Sequence, residues 1–580
     1  MNEGRARRAD GTCASFVFPL AHGSDTRTDV SRRDSFASSI SSLYSHALIR
    51  RIALLAVLFA VELLAISIWL DDASLGRSSG LAGMIGQWGA WALKFIVLFA
   101  VLFVVFGYRQ AGGAVSRISA RLGGTSIARG RLAGHFCAMA AFGLLSARLY
   151  GGHPTGSTSN LIAGAWLAAG SIALALAAFA FVPPGLWWEA ARATGHTWMY
   201  ASGAGIAACL LGNASRMLWG PAGHLTFLLA KAFLGIFVSG IVADPATDTI
   251  GFRAFDVQIA APCSGLEGIG LMIVFGGVWL WLFRREFRFP QALLLIPAGV
   301  AVIFAMNVLR IAALVLIGAA GAQGVALGGF HSQAGWMAFI AVAVGFALTA
   351  QRLPWVTVAV RTAAAADRSA ENPTAGYLVP FLAILAAAMI SRASAAGFEW
   401  LYPLRFLAAA AALWFYRRKY AALDWKFGWM APAIGTLVFV MWIGLDSIRG
   451  GAVENGIASG LAALPAPARF AWLGVRALAA VTTVPIAEEL AFRGFLIRRL
   501  MAADFESVDS RKSAWLPVLI SSAAFGALHG DRWLAGTAAG ALYAAALRWR
   551  GRIGDAVAAH AATNTLLAAW VLIGGRWNLW

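Results

Sequence analysis

The 580-residue chain is poor in charged side chains, and this scarcity limits the class of protein to which it can belong. Charged residues make up 13% of the sequence and hydrophobic residues 60%, whereas an ordinary soluble domain is about 25% charged. One water-soluble core cannot hold so much apolar material, because a single core stops growing near about 250 to 300 residues and still needs a polar surface. The composition excludes a soluble or disordered protein and predicts an all-α polytopic membrane protein.

Cysteine is also scarce. The four cysteines, Cys13, Cys137, Cys209 and Cys263, lie far apart in the sequence. A disulfide framework or a cysteine-based zinc site requires more cysteines, or cysteines at close and regular spacing. The sequence therefore indicates neither, and it indicates no cofactor and no bound metal.

Acidic residues are fewer than basic ones, 27 against 46, which gives a net charge of +19. In a membrane protein such an excess of Lys and Arg is typical of cytoplasmic loops, and the chain has none of the usual basic nucleic-acid-binding modules. Residues 1–49 are polar and arginine-rich and lack the apolar core and small-residue cleavage site of a secretory signal. We therefore expect no nucleic-acid partner and a cytoplasmic N-terminal tail.

Apolar runs near the length of about 20 residues that a spanning helix needs recur along the whole chain. In the first half they lie near 52–70, 88–107, 132–149, 161–182, 196–212, 224–243, 266–283, 291–312 and 335–351. In the second half they lie near 377–391, 402–416, 427–445, 470–487, 489–501, 514–529, 533–547 and 555–573. Several of the latter are short enough to be tilted, merged or re-entrant, so the runs predict a helical bundle with about 15 to 18 transmembrane helices.

Polar segments divide and orient these runs. Arginines precede the first run and fill residues 109–131 between the second and third, so we expect both places to be cytoplasmic loops. The longest polar interruption after the N-terminal tail is 353–376, with two prolines and several charges. We therefore predict a membrane domain over 50–352, a linker over 353–376 and a second membrane domain over 377–580.

One group of reactive residues recurs near the predicted outer face of the first domain. Residues 249–262 alternate polar and apolar side chains, which is typical of a short extended segment, and they lead to Cys263 at the start of the next helix. There the helix dipole and a nearby cation would lower the pKa of the thiol. Arg310 lies inside an apolar run, where a charge costs at least about 2.5 to 3.5 kcal/mol unless it reaches water or a partner, and His331 begins the last span.

These three residues could supply a nucleophile, a cation for the developing oxyanion and a base that takes the thiol proton. The alternative is structural. Cys263 could be a small buried hydrophobe, Arg310 could extend to the bilayer surface, and His331 could be an inert loop residue.

The strings around these residues resemble the exosortase and archaeosortase family. They are Ala-Pro-Cys-Ser-Gly-Leu at 261–266, Asn-Val-Leu-Arg-Ile at 307–311, and His331 four residues before Gly335. The resemblance covers roughly 50–350. It implies a membrane-embedded cysteine transpeptidase that cleaves C-terminal sorting signals and passes the exported protein to an envelope acceptor, with Cys263 as nucleophile, His331 as general base and Arg310 as stabilising cation.

A second group lies in the last third of the chain. Glu488 and Glu489 are adjacent in an apolar helix, and Arg493 follows Glu489 at the i,i+4 spacing of an intrahelical ion pair. Glu488, about 100° round the helix, is then free to face a cavity as a general base. Hydropathy places Glu488 near the cytoplasmic face of the membrane but His529 near the outer end of its span. To bring the two together, one of their helices must be longer, broken or shifted in depth.

His560 and Asn564 share one helical face, since they are four residues apart. Ionisable groups within a membrane are functional by default, although a polar network that only holds helices together is an alternative. Metal binding is a weaker alternative, because the usual His-x-x-x-His helix spacing is missing.

The three strings Glu-Glu-x-x-x-Arg, Phe-x-x-x-His and His-x-x-x-Asn resemble the CAAX protease and bacteriocin-processing family of intramembrane proteases, over roughly 400–575. The resemblance implies that Glu488 is the base that activates water and that Glu489 and Arg493 support it. It also implies that His529 is a second catalytic or positioning group and that His560 and Asn564 form the oxyanion site.

The combination of both regions resembles fused exosortase E/protease proteins of bacterial inner membranes, whose partner substrates carry a C-terminal signal of the Val-Pro-Glu-Ile-Asp type followed by a hydrophobic helix and a basic tail. The resemblance implies exported proteins with such a signal, an envelope acceptor and the lipid bilayer as partners. Two rival functions stay open at this point. A transporter would use Glu62, Lys94, Arg310 and Glu488 as pathway charges, and a scaffold would dock envelope-assembly proteins without any chemistry.

Overall fold

The computed structural model describes residues 47–69, 80–151, 156–358, 372–449 and 456–580. Most of the predicted tail 1–49, including Cys13, and most of the predicted linker 353–376 lie outside these ranges, so the domain limits stay predictions. The described chain is helical apart from one small sheet, which confirms the all-α polytopic fold.

Seven helices precede the sheet in the first half. They are α1 (Ala47–Trp69), α2 (Gly80–Leu122), α3 (Arg129–Gly151), α4 (Gly156–Phe181), α5 (Pro184–Ala193), α6 (Thr197–Met217) and α7 (Trp219–Phe237). Three more follow it, α8 (Leu266–Leu282), α9 (Leu295–Ala319) and α10 (His331–Ala350), and a short helix Gln323–Val325 and a π-helical turn Ala326–Phe330 lead into α10. The predicted runs of the first half lie mainly in helices, except that the run 224–243 ends too late: its helix stops at Phe237, and residues 242–243 belong to a strand.

The second half begins with α11 (Pro373–Ala393) and α12 (Pro403–Phe415), followed by a short helix Arg417–Tyr420. It continues with α13 (Met430–Arg449), α14 (Ile457–Ala463), α15 (Ala466–Val481), α16 (Thr483–Glu489), a π-helical stretch Leu490–Leu496 and a short helix Ile497–Arg499. It ends with α17 (Trp515–Ala527), α18 (Trp533–Arg550) and α19 (Ile553–Gly574).

Within the described residues, nine helices are long and apolar enough to cross a membrane, and three shorter apolar helices accompany them. The nine are Arg129–Tyr150, Thr158–Phe181, Trp219–Phe237, Gln291–Ala319, Gln323–Ala350, Pro373–Ala393, Met430–Ser447, Ala466–Arg499 and Ile553–Gly574. Large apolar side chains face outward along them, as a lipid environment requires. The chain is a multi-pass membrane protein, and the total of about 15 to 18 spans stays a prediction.

The expected cytoplasmic loop over 109–131 is mostly helical. Helix α2 runs for 43 residues, about 65 Å at 1.5 Å per residue, and carries Arg109, Arg117 and Arg121 beyond the apolar run. No proline interrupts this part of the sequence, and the helix ends at the glycine pair 123–124. These arginines continue the helix beyond its apolar part because charge alone does not end a helix, and the cytoplasmic position of the segment stays a prediction.

The predicted extended segment before Cys263 is confirmed as a sheet of three antiparallel strands, β1 (Val242–Asp244), β2 (Thr249–Phe252) and β3 (Phe255–Gln258). Thr249 pairs with Gln258, and Ile250 pairs with Val257. The buried side chains of Ile250, Phe255 and Val257 pack with α7 and α9 in the core that also contains Cys263. The sheet thus anchors the chain that leads to the cysteine.

Candidate active sites

Cys263 ends a tight turn between the sheet and α8. The turn is a 3-10 helix over Ala261–Cys263, and the Cys263 N–H donates to the Ala260 carbonyl at 2.8 Å. Gly265, the residue before α8, has φ +83°, a backbone conformation that costs about 1 to 2 kcal/mol for residues with a Cβ. Cys263 therefore lies next to a helix N-terminus, as predicted from the sequence.

Asn307, on α9, holds this turn in place. Its Nδ2 donates to the Cys263 carbonyl at 3.0 Å. A Cβ at Gly265 would lie 2.8 Å from the same Nδ2, so the turn requires glycine both for its backbone angle and for the approach of Asn307. Gly265 and Asn307 belong to the strings 261–266 and 307–311, but the sequence indicated no role for either residue. A contact between residues 44 positions apart leaves no local pattern.

The environment of the sulfur differs from the one expected. Cys263 is 5% exposed and belongs to an apolar cluster with Phe227, Val308 and Ile311. Burial raises the pKa of the Cys263 thiol, and the opposing charge of Arg310 only partly offsets this. The expectation of a lowered thiol pKa was wrong, because the turn is packed among apolar side chains. Burial therefore favours the thiol form of Cys263 over the thiolate.

Arg310 and His331 line a single cavity of about 230 Å³. Asn307, Gly265 and Gly335 line the same cavity, whereas Cys263, two residues before Gly265, is not one of its lining residues. The buried Nε of Arg310 has no hydrogen-bond partner within the described part of the chain. This arrangement leaves a desolvated cation able to bind an anionic oxygen in the cavity.

The approach of α10 determines where His331 lies. A Cβ at Gly335 would be 2.9 Å from an Nη of Arg310, so glycine lets α10 pack directly on the guanidinium. His331 does not begin the span, as had been expected, because the short helix and the π-helical turn extend it to Gln323–Ala350. His331 is therefore the ninth residue of the longer helix Gln323–Ala350, and it lines the cavity from the interior of this helix rather than from its end.

The predicted ion pair of the second half is confirmed. Arg493 Nε lies 3.2 Å from Glu489 Oε2, and both side chains are fully buried. Arg493 also donates to the Gly540 carbonyl at 2.9 Å, and its guanidinium lies 4.4 Å from the centre of the Phe525 ring. The charge of Arg493 is thus neutralised by one carboxylate and enclosed by a carbonyl and an aromatic ring.

His560 joins both glutamates. Its Nδ1 lies 3.0 Å from Glu489 Oε1, and its Nε2 lies 3.9 Å from Glu488 Oε2. Because the Glu489 carboxylate is paired with Arg493 and accepts hydrogen bonds only, the Nδ1 carries the proton in this contact. The ring also stacks on Tyr543, with centres 4.7 Å apart. Glu489 and Tyr543 therefore orient His560 with its second nitrogen toward Glu488.

His529 lies on the other side of the Phe525 ring, which is 4.8 Å from His529 and 5.6 Å from His560 between ring centres. The His529 Nδ1 lies 2.9 Å from the Phe525 carbonyl, and a carbonyl can only accept, so the Nδ1 donates. Burial lowers the pKa of His529 despite this bond. The Phe525 carbonyl therefore holds the Nδ1 of His529, and burial disfavours the charged form of the ring.

Asn564 uses one amide N–H on the neighbouring helix, since its Nδ2 donates to the Ala480 carbonyl at 2.8 Å. That carbonyl lies next to the break at Thr482, where α15 ends and α16 begins. The interruption at Thr482 is one of the outcomes, a broken helix, that the predicted conflict in depth between Glu488 and His529 allowed. Sequence patterns missed Tyr543, because aromatic residues are common in any membrane helix.

Comparison with known families gives two matches. Residues 132–348 match the model of the transmembrane exosortases (Exosortase_EpsH), and residues 470–566 match that of the type II CAAX prenyl endopeptidase Rce1-like proteins. No curated protein and no solved structure matches the chain. Both families are protease families, so a role in processing proteins at the membrane follows. One polytopic membrane protein thus contains a region that matches the exosortase family followed by a region that matches the CAAX prenyl endopeptidase family.

Proposed function

We propose that the chain is a bifunctional protein-sorting enzyme of the bacterial inner membrane, with its N-terminus in the cytoplasm. The first half would cleave C-terminal sorting signals and transfer the exported protein to an envelope acceptor. The observation that carries this proposal is the cavity shared by Arg310 and His331, which begins beside the Cys263 turn. Exosortase-family membership supports protein substrates that bear sorting signals.

The first reaction is an acyl transfer. His331 takes the proton of the Cys263 thiol as the sulfur attacks the scissile carbonyl, and Arg310 stabilises the oxyanion. The C–N bond then breaks, and the leaving amine takes the proton from His331. The fragment on the C-terminal side of the cut departs with its hydrophobic helix and basic tail, while the exported protein stays on the sulfur as a thioester. A nucleophile of the acceptor finally attacks the thioester and regenerates the thiol. Fused exosortase E/protease proteins suggest a signal of the Val-Pro-Glu-Ile-Asp type.

The second half would hydrolyse peptide bonds within the membrane. Glu488 takes a proton from a water molecule, the hydroxide adds to the carbonyl, and the proton passes to the leaving amine as the C–N bond breaks. Glu489 and Arg493 hold His560, which in its doubly protonated form would donate from Nε2 and, with Asn564, stabilise the oxyanion, and His529 would position the substrate or the water. The contact of His560 with both glutamates carries this assignment. The released hydrophobic tail is a suitable substrate.

A co-expressed substrate with a sorting signal tests the first activity. Cys263→Ala should abolish processing, whereas Cys209→Ala, which removes another buried cysteine of the same half, should not. The wild-type chain should also carry a trapped thioester to the substrate that hydroxylamine releases. Normal processing by the Cys263→Ala chain would show that the transpeptidase assignment is wrong.

Peptide products of the second half provide a separate test. The double variant Glu488→Gln and Glu489→Gln should no longer cleave, while Glu506→Gln, at an exposed carboxylate in the same half, should cleave normally. Unchanged products from the double variant would instead indicate a structural module.

A further inference from the structure

The two halves meet at the turn that carries His331. The π-helical turn Ala326–Phe330 lies against the residues that end α11, and the Gly329 N–H donates to the Ala395 carbonyl at 3.3 Å. We call residues 392–396 of the second half the receiving turn. His331 follows the π-helical turn directly, so a contact made by the second half lies two residues from a cavity-lining group of the first.

The contact is closest at Gly329. A Cβ at this position would overlap the Arg392 carbonyl and lie 2.7 Å from the Ala395 carbonyl. A Cβ at the adjacent Gly328 would lie 3.7 Å from the Ala395 carbonyl, which is an ordinary van der Waals distance. Only one of the two neighbouring glycines is therefore required for the approach.

The receiving turn is itself tied to the rest of the second half. Glu399 accepts a hydrogen bond from Ser391 at 3.0 Å, lies 3.5 Å from Arg392 and pairs closely with Arg405 on α12. The Glu399 carbonyl accepts from Trp472 on α15 at 3.1 Å. These contacts make the turn a rigid surface rather than a loose end.

The geometry points to a positioning role for this junction: docking of the π-helical turn on the receiving turn of the second half holds His331 in register with Arg310 for the reaction of the first half. The inference rests on the proposed role of His331 as general base. Helix α10 packs on Arg310 at Gly335, one turn after His331, so a displacement of the turn at Gly329 moves the imidazole relative to the cation. The fusion of the two halves then serves the sorting reaction itself.

The test compares Gly329→Ala with Gly328→Ala in the full chain. Both changes add one methyl group to the same turn and give the same gain in helix propensity, about 1 kcal/mol or less, so they differ only in the collision with the receiving turn. We expect Gly329→Ala to lower kcat for sorting-signal cleavage by about 10- to 100-fold, the range for a small misplacement of a catalytic group. KM should change little, and Gly328→Ala should leave both constants near wild type.

Docking is measured independently of activity by a cross-link. A Cβ at Gly324 would lie 2.9 Å from the Ala396 Cβ, so a shift of about 1 Å apart brings the two positions to the spacing of about 3.8 Å in disulfides. The pair Gly324→Cys and Ala396→Cys should therefore cross-link in high yield, and the yield should fall with Gly329→Ala but not with Gly328→Ala. Normal kcat in Gly329→Ala, or an equal loss in Gly328→Ala, would overturn the inference.

Two further variants separate misfolding and failure of the proposed function from failure of this inference. Glu399→Gln adds no heavy atoms but weakens the ion pairs that hold the receiving turn, so it should lower kcat without loss of the protein from the membrane. An unchanged kcat would count against the positioning role. If Cys263→Ala still cleaves, the proposed function is wrong. If Cys263→Ala is inactive while Gly329→Ala cleaves normally, only the inference is wrong.

Discussion

Glu488 and Glu489 are adjacent and chemically identical, yet the structure predicts that glutamine at position 489 lowers stability far more than glutamine at position 488. The Glu489 side chain is fully buried between Arg493 and His560, whereas that of Glu488 is 14% exposed and has one contact at 3.9 Å. Glu489→Gln leaves the buried charge of Arg493 unpaired, and breaking a buried pair in this way costs about 3 to 5 kcal/mol. Glu488→Gln removes a single weak contact and should cost about 1 kcal/mol or less.

The rate of thiol labelling at a cysteine introduced at Ala539 measures this difference in stability between the two variants. Ala539 is 2% exposed in the core of the second half, and the native cysteines all lie in the first half, so thiol labelling in the second half reports its opening. A cost of 3 to 5 kcal/mol corresponds to roughly 10²- to 10⁴-fold faster labelling for Glu489→Gln. Glu488→Gln should label within about fivefold of wild type while losing peptide-bond cleavage.

The comparison contains its own control, because the same atom change is made at neighbouring positions. Equal labelling rates in the two variants would refute the assignment of Glu489 to a supporting role and of Glu488 to the role of base. Labelling of Glu489→Gln near the wild-type rate would show that the pair with Arg493 contributes little to stability.

Three predictions concern the first half. Alkylation of Cys263 should speed up with rising pH through and beyond the ordinary thiol pKa of about 8.5, because burial raises its pKa and only the thiolate reacts. In Arg310→Met the same alkylation rate should be reached only at a still higher pH. An alkylation rate independent of pH near neutrality would contradict this prediction. Gly265→Ala should abolish sorting-signal cleavage in the substrate assay, whereas Gly270→Ala, where an added Cβ meets nothing within 4 Å, should not; equal effects would contradict the proposed geometry. Asn307→Ala should lower cleavage, because the Cys263 carbonyl loses its donor, a cost of about 1 to 3 kcal/mol for a buried acceptor, and thermal unfolding should show a matching loss; an unchanged melting curve would contradict it.

Local patterns in the sequence were sufficient to predict much of this protein. Helix positions follow from apolar runs of spanning length, because a backbone in lipid must satisfy its own hydrogen bonds. The pair of Glu489 and Arg493 follows from helical spacing, since residues four apart lie on the same face. The extended segment before Cys263 follows from its alternating side chains. Each depends on neighbours within one element.

Contacts between distant elements decided the rest. The apolar surroundings that raise the Cys263 pKa come from α7 and α9, which overrode the helix-terminus effect expected from the sequence. Phe525 contacts both His529 and His560 because packing brings their helices together, and Gly329 differs from Gly328 only because the receiving turn lies against it. Packing brings together residues tens to hundreds of positions apart, and the energy of a charge, a thiol or an added methyl group depends on what that packing places beside it.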